Sequence, residues 1–362
     1  MLTHCRQCWL SQLTVAVDPV QLYRDYHYIS GMSTEWVQHC DRLVDELALK
    51  KRFVVEIASN DGTLLRRMKD AGASVLGVEP AANLTRHYPP SLPYLPDFFT
   101  QSTAGWITTR YGHADVVVAQ NVIGHVDDIR GFLYAVGRIL NKRRGLAILE
   151  APYLYRMLAT QEFPQIYHEH LSYWSLSPLR RLAKDVGLEV IAVKPLDVHG
   201  GSMRYYLRHD GSLPHRSVED LTFMEAQLQS DPTLYTAFTP QKQIAEIEAA
   251  LERHRGKVVW GYGASAKGTV LLNTLKNADI IQCVVDDYTG KRGRYIPGVH
   301  IPIVAPQDLS HVDVVVVLAW NWSRAIEVKA ETQGFGSAKH GEFLLMDFTP
   351  PKPKRGQLSR IA

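Results

Sequence analysis

Residues 53–62 read FVVEIASNDG, and this stretch decides the fold because it joins a strand to the turn after it. The run from Phe53 to Ile57 is mostly apolar, as in a strand covered on both faces of a sheet. Small residues follow, and a helix is predicted to begin at Gly62. Small side chains let the backbone approach a ligand, and a helix N-terminus offers unpaired N–H groups. The stretch therefore predicts a ligand-binding edge of a parallel sheet.

The same rhythm of strands and helices continues along the chain. Apolar runs predict further strands at 74–79, 114–120, 145–150, 189–193 and 202–207, and helical spacing predicts helices at 33–47, 129–140 and 178–186. This order indicates an α/β fold with a mostly parallel sheet and helices on both faces. The last two strands form a hairpin-like pair, so the sheet resembles that of a class I methyltransferase.

A second, smaller Rossmann-like domain is predicted after a polar segment. Residues 210–240 contain scattered prolines and are interpreted as a linker with at most one helix. The strand–helix rhythm then restarts, which gives a C-terminal domain over 241–362. The first domain is placed at 33–209, and residues 1–32 are a separate N-terminal piece.

The first turn predicts an adenosine-containing cofactor, although an ordinary strand-to-helix turn remains an alternative. Glu79 ends the next strand, where a carboxylate can accept both ribose hydroxyls. The turn lacks the three-glycine dinucleotide spacing and follows Glu56, which favours S-adenosylmethionine over NAD. The residues predicted to contact the cofactor are Glu56, Ala58, Ser59, Asn60, Asp61, Gly62, Glu79, Pro80, Phe98, Gln120 and Asn121.

The C-terminal domain contains a second glycine-rich turn, GYGASAKG at 261–268. Its spacing also misses the dinucleotide fingerprint. Lys267 in this turn either neutralises a phosphate or is a solvated lysine in the first turn of a helix.

Composition excludes several classes of partner. The 362 residues carry 40 basic and 37 acidic side chains, for a net charge of +3, which argues against a nucleic-acid partner. The N-terminus does not resemble a signal peptide, and no apolar run is long enough to cross a bilayer. A cytoplasmic protein with no membrane partner is expected. Cys5 and Cys8 form a single Cys-x-x-Cys, half of the usual tetrahedral zinc site, so no zinc is expected.

Further motifs carry a resemblance to a known family over nearly the whole chain. They are YHYIS at 26–30, NVIGH at 121–125, YHEH at 167–170, HGGS at 199–202, GASAKG at 263–268, DD at 286–287, RYIPG at 294–298 and AWN at 319–321. In this order they resemble the nucleotide-sugar C-methyltransferases of antibiotic deoxysugar pathways, which place a methyl branch at C3 of a 4-keto sugar. Family members usually begin with a zinc lobe of two Cys-x-x-Cys pairs. Residues 1–32 are therefore interpreted as a remnant of that lobe.

The resemblance implies roles for particular residues. His170 is the base that removes a proton, and Tyr167, Glu169 and His125 orient the sugar or stabilise the oxyanion. Tyr28 covers the methyl donor or the sugar. Substrate contacts are implied at His199, Gly200, Ser202, Arg204, Gly263, Lys267, Trp320 and Asn321. The FPQ sequence at 163–165 departs from the family, which more often has an Asp and a Thr there.

The expected reaction is methyl transfer from S-adenosylmethionine to the carbon beside the ketone of a nucleotide-linked keto deoxysugar, by a monomeric enzyme. Three rivals remain: an N- or O-methyltransferase on a related sugar, an NAD-dependent oxidoreductase, and a binding protein without activity.

Overall fold

The computed structural model describes residues 1–348 except 87, 210, 212, 232, 339 and 347. The chain divides into two compact units. Unit 1 comprises Met1–Tyr155 and His168–Pro232, and unit 2 comprises Arg156–Tyr167 and the chain from Thr233 onward. The C-terminal unit therefore includes a short segment that precedes the YHEH motif in sequence. The domain limits at 32, 209 and 240 stay predictions.

Unit 1 is built around a seven-stranded sheet and a small three-stranded one. Its strands are β1 (Leu2–His4), β2 (Ser11–Leu13), β3 (Phe53–Ile57), β4 (Ser74–Val78), β5 (Tyr94–Leu95), β6 (Val116–Gln120), β7 (Leu146–Pro152), β8 (Ser172–Tyr173), β9 (Leu188–Leu196) and β10 (Ser202–His209). The large sheet has the order β5-β4-β3-β6-β7-β10-β9. The first five strands in this order, β5-β4-β3-β6-β7, are parallel to their neighbours. Strand β10 is antiparallel to both β7 and β9. This confirms the predicted class I arrangement. The small sheet has the order β1-β2-β8.

The helices of the N-terminal part follow the predicted rhythm. They are α1 (Pro19–Tyr23), α2 (Thr34–Asp45), α3 (Thr63–Asp70), α4 (Ala82–Thr85), α5 (Gln101–Tyr111), α6 (Ile129–Ile139), α7 (Leu154–Thr160), α8 (Leu176–Asp185) and α9 (Arg216–Gln229). At α2, the Ser33 side chain accepts a hydrogen bond from the Trp36 backbone N–H, as is typical of a serine at an N-cap. Cys40 and Leu43 are buried on its apolar face.

Residues 216–229 of the predicted linker form α9, which belongs to unit 1. Glu225 of α9 is fully buried, and its carboxylate accepts hydrogen bonds from the backbone N–H groups of Leu176 and Ser177. These N–H groups begin α8, so the carboxylate satisfies donors that a helix start leaves unpaired. The Tyr153 hydroxyl donates to the same carboxylate at 2.9 Å. Although its composition is polar, this segment therefore contains a helix that is anchored by the buried hydrogen bonds of Glu225.

Unit 2 contains a parallel five-stranded sheet with the order β13-β12-β11-β14-β15. The strands are β11 (Val259–Tyr262), β12 (Cys283–Val285), β13 (Ile303–Val304), β14 (Val314–Val317) and β15 (Glu342–Leu345), and the helices are α10 (Gln241–Glu252), α11 (Ala266–Thr274) and α12 (Ser323–Thr332). Apolar residues bury both faces of the central strands. This is the predicted second Rossmann-like fold.

Candidate active site

The turn after β3 has a backbone conformation that most residues avoid. Ala58 and Asn60 have φ angles of 54° and 51°, and Gly62 has 76°. The left-handed φ favours glycine at position 62, and a Cβ there would also lie 2.7 Å from a Leu92 methyl carbon, which would have to move. Left-handed backbone at a non-glycine residue costs energy and concentrates at functional sites. Asn121, which follows β6 at the same sheet edge, is also left-handed with φ 54°.

A pocket opens at this edge of the sheet. It is lined by residues from the predicted cofactor set, by residues of α2 and α3, and by Ser30, which precedes α2: Ser30, Trp36, Glu56, Ala58, Ser59, Asn60, Thr63, Leu64 and Gln120. Glu56 is buried, and its Oε2 has no hydrogen-bond partner among the described residues. Burial, with smaller contributions from Asp61 and Glu79, raises the pKa of Glu56 well above its usual range. A buried acceptor left unpaired in a pocket suits a ligand that brings a donor.

Glu79 lies at the end of β4, beside the same turn. Its Oε2 accepts a hydrogen bond from the Asn60 backbone N–H at 2.7 Å, and its Oε1 accepts one from the Ala81 N–H at 2.9 Å. Burial raises the pKa of Glu79 to about 7, against the lowering effect of these two hydrogen bonds. Each carboxylate oxygen keeps a second lone pair, so Glu79 can still accept hydrogen bonds from a ribose diol.

The remaining predicted cofactor residues lie in the turn after β3 or follow other strands of the same sheet. Asp61 accepts hydrogen bonds from the Gly31 and Thr63 backbone N–H groups. Asn121 has a buried Oδ1 with no partner in the described part of the chain. The Arg24 guanidinium lies over the Phe98 ring, with the Arg24 Cζ atom 5.0 Å from the ring centroid. Pro80 follows Glu79 directly. The acceptors fit adenosylmethionine, which brings ribose hydroxyls, an ammonium and a positive sulfonium.

A second polar cluster in unit 1 brings together two of the predicted catalytic histidines. The rings of His125 and His170 lie edge to face with their centroids 5.0 Å apart. The Tyr23 hydroxyl and His125 Nδ1 share a hydrogen bond of 3.0 Å. Burial lowers the pKa of His125 to about 4, and a hydrogen bond with the Glu169 backbone opposes that shift. His125 is therefore a neutral imidazole at pH 7.

Glu169 belongs to the same cluster. Its Oε2 accepts a hydrogen bond from the Tyr26 hydroxyl at 3.0 Å. Burial raises the pKa of Glu169, while Tyr26 and the nearby His168 oppose the shift. His168 itself is exposed, whereas Glu169 and His170 are half-buried. Tyr23 and Tyr26 are residues that the sequence reasoning missed, because their partners lie 102 and 143 positions away along the chain.

Tyr28 and Tyr167 are the other two predicted catalytic residues, and their environments differ from that of the histidine cluster. Tyr28 is 43% exposed, and its carbonyl oxygen accepts a hydrogen bond from Asn60 Nδ2 at 3.0 Å. Tyr167 is half-buried and falls at the end of the segment assigned to unit 2. The roles of both stay predictions.

The HGGS turn precedes β10 and packs on α2. The His199 ring lies 4.9 Å from the Trp36 ring, centroid to centroid, and His199 has a φ of 53°. Gly200 has a φ of 87°, and the Ser202 hydroxyl donates to the Val198 carbonyl at 3.2 Å. The turn thus positions His199 on Trp36, which itself lines the pocket.

Arg204 has a different environment from the one expected of a substrate contact. Its side chain is 1% exposed, and its Nε donates to Glu150 Oε1 at 2.6 Å. Glu150 is the residue directly opposite on β7. A further guanidinium nitrogen donates to Glu46 at 2.7 Å, and His39 Nε2 lies 2.7 Å from the other oxygen of Glu150. These contacts give Arg204 a structural role, and its substrate role stays a prediction.

In unit 2, the four predicted substrate residues lie near one another. Lys267 Nζ and Trp320 Nε1 both donate to Glu162 Oε1, at 2.7 and 2.9 Å. Gly263 has a φ of 90°, and a Cβ there would lie 2.7 Å from the Ala319 side chain. Burial lowers the pKa of Lys267, and Glu162 opposes the shift. Asn321 lies in the 3-10 turn Trp320–Trp322. Glu162 was missed because no local pattern marks an acidic residue as the partner of a lysine 105 positions later.

The two N-terminal cysteines are free thiols, Cys5 exposed and Cys8 half-buried. Within the described ranges, no group of three or more His, Cys, Asp or Glu side chains could hold a metal ion. No helix in those ranges is long and apolar enough to span a membrane.

Comparisons with known proteins agree with both units. Residues 28–193 match the family described as a methyltransferase domain, and residues 197–346 match the C-methyltransferase C-terminal domain. The chain is 34% identical over 341 residues to C-methyltransferase NovU of Streptomyces niveus, covering 89% of this chain and 80% of that protein. It is 23% identical over 214 residues to the ubiquinone biosynthesis O-methyltransferase of Leptothrix cholodnii, covering 54% of this chain and 87% of that protein. A solved S-adenosylmethionine-dependent methyltransferase from Mesorhizobium loti aligns with a TM-score of 0.38 at 10% identity, over 49% of this chain and 98% of that one.

Proposed function

The chain belongs to the S-adenosylmethionine-dependent C-methyltransferases, and from that premise we propose that its acceptor is a nucleotide-linked 4-keto deoxysugar. The methyl group goes to C3, the carbon beside the ketone. The sugar rests on the motif resemblance, and the observation that carries the chemistry is the cluster of His125, His170 and Glu169 in unit 1.

Methylation of a carbon requires a carbanion equivalent. A ketone acidifies the neighbouring C–H, and removal of that proton gives an enolate. The protein must therefore supply a base near the α-carbon and hydrogen-bond donors near the ketone oxygen. Two adjacent imidazoles and two tyrosine hydroxyls provide groups of both kinds.

The environments of the two histidines separate their roles. With a pKa lowered to about 4, His125 resists taking on a full positive charge at neutral pH. It suits hydrogen bonding to the sugar or to the developing oxyanion. His170 is then the proton acceptor, as the resemblance implies. Glu169, held by Tyr26 and next to His170 in sequence, orients the sugar or the base.

The residues at the ends of β3 and β4 would bind the cofactor. Bound adenosylmethionine supplies an electrophilic methyl group at the sheet edge. Glu79 would accept the ribose hydroxyls, and the turn from Ala58 to Gly62 would approach the amino-acid portion through its backbone. Glu56 would accept a donor from the same portion with its unpaired Oε2. These residues bind and orient, and bring the methyl group within reach of the enolate.

The runner-up is transfer to an oxygen or nitrogen of a related sugar. It is favoured by the partial similarity to an O-methyltransferase, and it needs no proton removal from carbon. The two functions differ in what happens to the C3 hydrogen.

We expect the protein to exchange the C3 hydrogen of its acceptor with solvent. The test uses adenosylhomocysteine, which cannot donate a methyl group, and a panel of nucleotide-linked 4-keto deoxysugars in D2O. Proton NMR should show loss of the C3 signal at least about tenfold faster than in buffer, because the base forms the enolate in the absence of a methyl donor and the enolate then takes deuterium from solvent. A sugar that keeps its C3 hydrogen while adenosylmethionine turns over would favour heteroatom transfer.

A further inference from the structure

The segment of residues 23–31 is held at the site by side chains on both sides, and we call it the strap. It follows α1, which ends at Tyr23, and precedes α2. It contains two of the hydroxyls that reach the catalytic cluster, those of Tyr23 and Tyr26. Its YHYIS motif at 26–30 is part of the family resemblance, which implies a role only for Tyr28.

Two asparagines bind the main chain of the strap. Asn60, in the turn after β3, donates from Nδ2 to the Tyr28 carbonyl at 3.0 Å and accepts at Oδ1 from the Ser30 N–H at 2.9 Å. Asn83, in α4, accepts at Oδ1 from the Tyr26 N–H at 3.0 Å and donates from Nδ2 to the Tyr26 carbonyl at 2.8 Å. Each amide thus accepts from one backbone N–H of the strap and donates to one backbone C=O, as the main chain of a neighbouring β-strand would.

Both Asn83 hydrogen bonds are made with Tyr26, whose side chain contacts the catalytic cluster. Asn83 fixes the backbone of Tyr26 on both sides of its Cα, and the Tyr26 hydroxyl donates to Glu169. The Tyr23 ring also packs against the Tyr26 ring with centroids 5.5 Å apart, and its hydroxyl bonds His125. One asparagine therefore holds the residue whose hydroxyl contacts Glu169 and whose ring packs on Tyr23, the hydrogen-bond partner of His125.

We propose that Asn83 is a positioning residue for catalysis, which acts through Tyr26 and the strap on Glu169 and His125. The inference deepens the proposed function and rests on it for the identity of the acceptor. Asn60 has a parallel arrangement, but it also lines the cofactor pocket. Only Asn83 allows positioning to be separated from cofactor binding.

We expect Asn83→Ala to lower kcat for methyl transfer on the order of 10- to 100-fold, because small displacements of catalytic groups have effects of this size. The dissociation constant of adenosylhomocysteine should change less than about threefold, since no contact of Glu79 or Glu56 is removed. Asn83→Asp keeps the acceptor for the Tyr26 N–H and loses the donor to its carbonyl, so it should fall between wild type and Asn83→Ala. The measurements are steady-state kinetics and calorimetry on the full chain.

The decisive readout is a double-mutant cycle with Tyr26→Phe. If Asn83 acts through Tyr26, the two effects overlap, and the combined variant should lose clearly less kcat than the product of the two single losses. Losses that multiply, or an unchanged kcat in Asn83→Ala, would overturn the proposal. Asn141→Ala is the matched control, since the Asn141 side chain also accepts from two backbone N–H groups, those of Arg143 and Arg144, in a turn before β7. It should keep wild-type kcat.

Cleavage by trypsin at Arg24 gives a readout that does not depend on the acceptor. Arg24 is an exposed residue of the strap. Asn83→Ala should be cut there at least about tenfold faster than wild type, because loss of the two hydrogen bonds frees the backbone for local opening. Equal rates would overturn the proposal. A wild-type protein that methylates no carbon acceptor contradicts only the proposed function, and the cleavage rates then decide the role of Asn83.

Discussion

His170→Ala should lower kcat for carbon methylation about 1,000-fold, because removing a general base from the transition state has effects of this order. The affinity for adenosylhomocysteine should stay within about threefold of wild type, since the cofactor pocket is built from the turn after β3 and from Glu79. Steady-state kinetics and calorimetry on the same preparations separate the two effects. Exchange of the C3 hydrogen should disappear together with turnover.

His168→Ala is the matched control for this variant. It makes the same substitution two positions away, at an exposed histidine on the same segment. We expect its kcat to stay within about threefold of wild type, because its side chain is exposed and its effect on Glu169 is smaller than those of burial and of Tyr26. If His170→Ala keeps more than about a tenth of wild-type kcat, another group removes the proton and the assigned base is wrong.

Glu150→Ala should lower the free energy of unfolding by about 3–5 kcal/mol, because it leaves the buried Arg204 guanidinium without its main partner. Both residues are 1% exposed, and His39 also loses its bond to the carboxylate. Burial by itself would raise the pKa of Glu150, but the hydrogen bond and charge of His39 and the charge of Arg204 outweigh it, so the pKa of Glu150 is lowered. Glu150 is therefore ionised at neutral pH. Urea unfolding of the full chain, followed by circular dichroism, measures the loss.

Glu46, at the partly exposed end of the same hydrogen-bond network, allows the effect of burial on the free energy of unfolding to be compared. Glu46 bonds Arg204, Lys194 and Tyr206, but its side chain is 33% exposed. Glu46→Ala should cost no more than about 1 kcal/mol, since solvent screens a partly exposed ion pair and can replace its contacts. Equal losses in the two variants would show that burial is not what makes Glu150 important.

The sequence predicted the fold well because the signals are local. Apolar runs such as Val54 to Ile57 and Val116 to Val118 mark strands covered on both faces, and the spacing of Trp36, Cys40 and Leu43 marks one face of a helix. The placement of β10 between β7 and β9 is a matter of long-range pairing. The register that sets Arg204 opposite Glu150 follows from it and leaves no trace in either strand alone.

The site was predictable where its residues follow strands. Glu56, Asn60, Glu79, Gln120 and Asn121 all lie at the carboxyl ends of adjacent parallel strands, which is where ligands bind in such sheets.

Partners from distant segments were not predictable. Neither the tyrosines of the strap nor Glu162 shows a local pattern, because each meets its partner only in the folded chain. The same holds for the counter-charges of Arg204 and Lys267, since Glu150 and Glu162 lie 54 and 105 positions earlier. A charged residue in a buried strand predicts a partner but does not identify it.

The most direct test of carbon methylation is the position of the transferred methyl group. The protein is incubated with adenosylmethionine that carries a carbon-13 methyl and with nucleotide-linked 4-keto deoxysugars, and carbon NMR is recorded on the product. We predict a high-field methyl signal coupled to a quaternary C3, absent from the His170→Ala reaction. A signal in the range of a methyl ether or methylamine would contradict the account, because it would show transfer to oxygen or nitrogen.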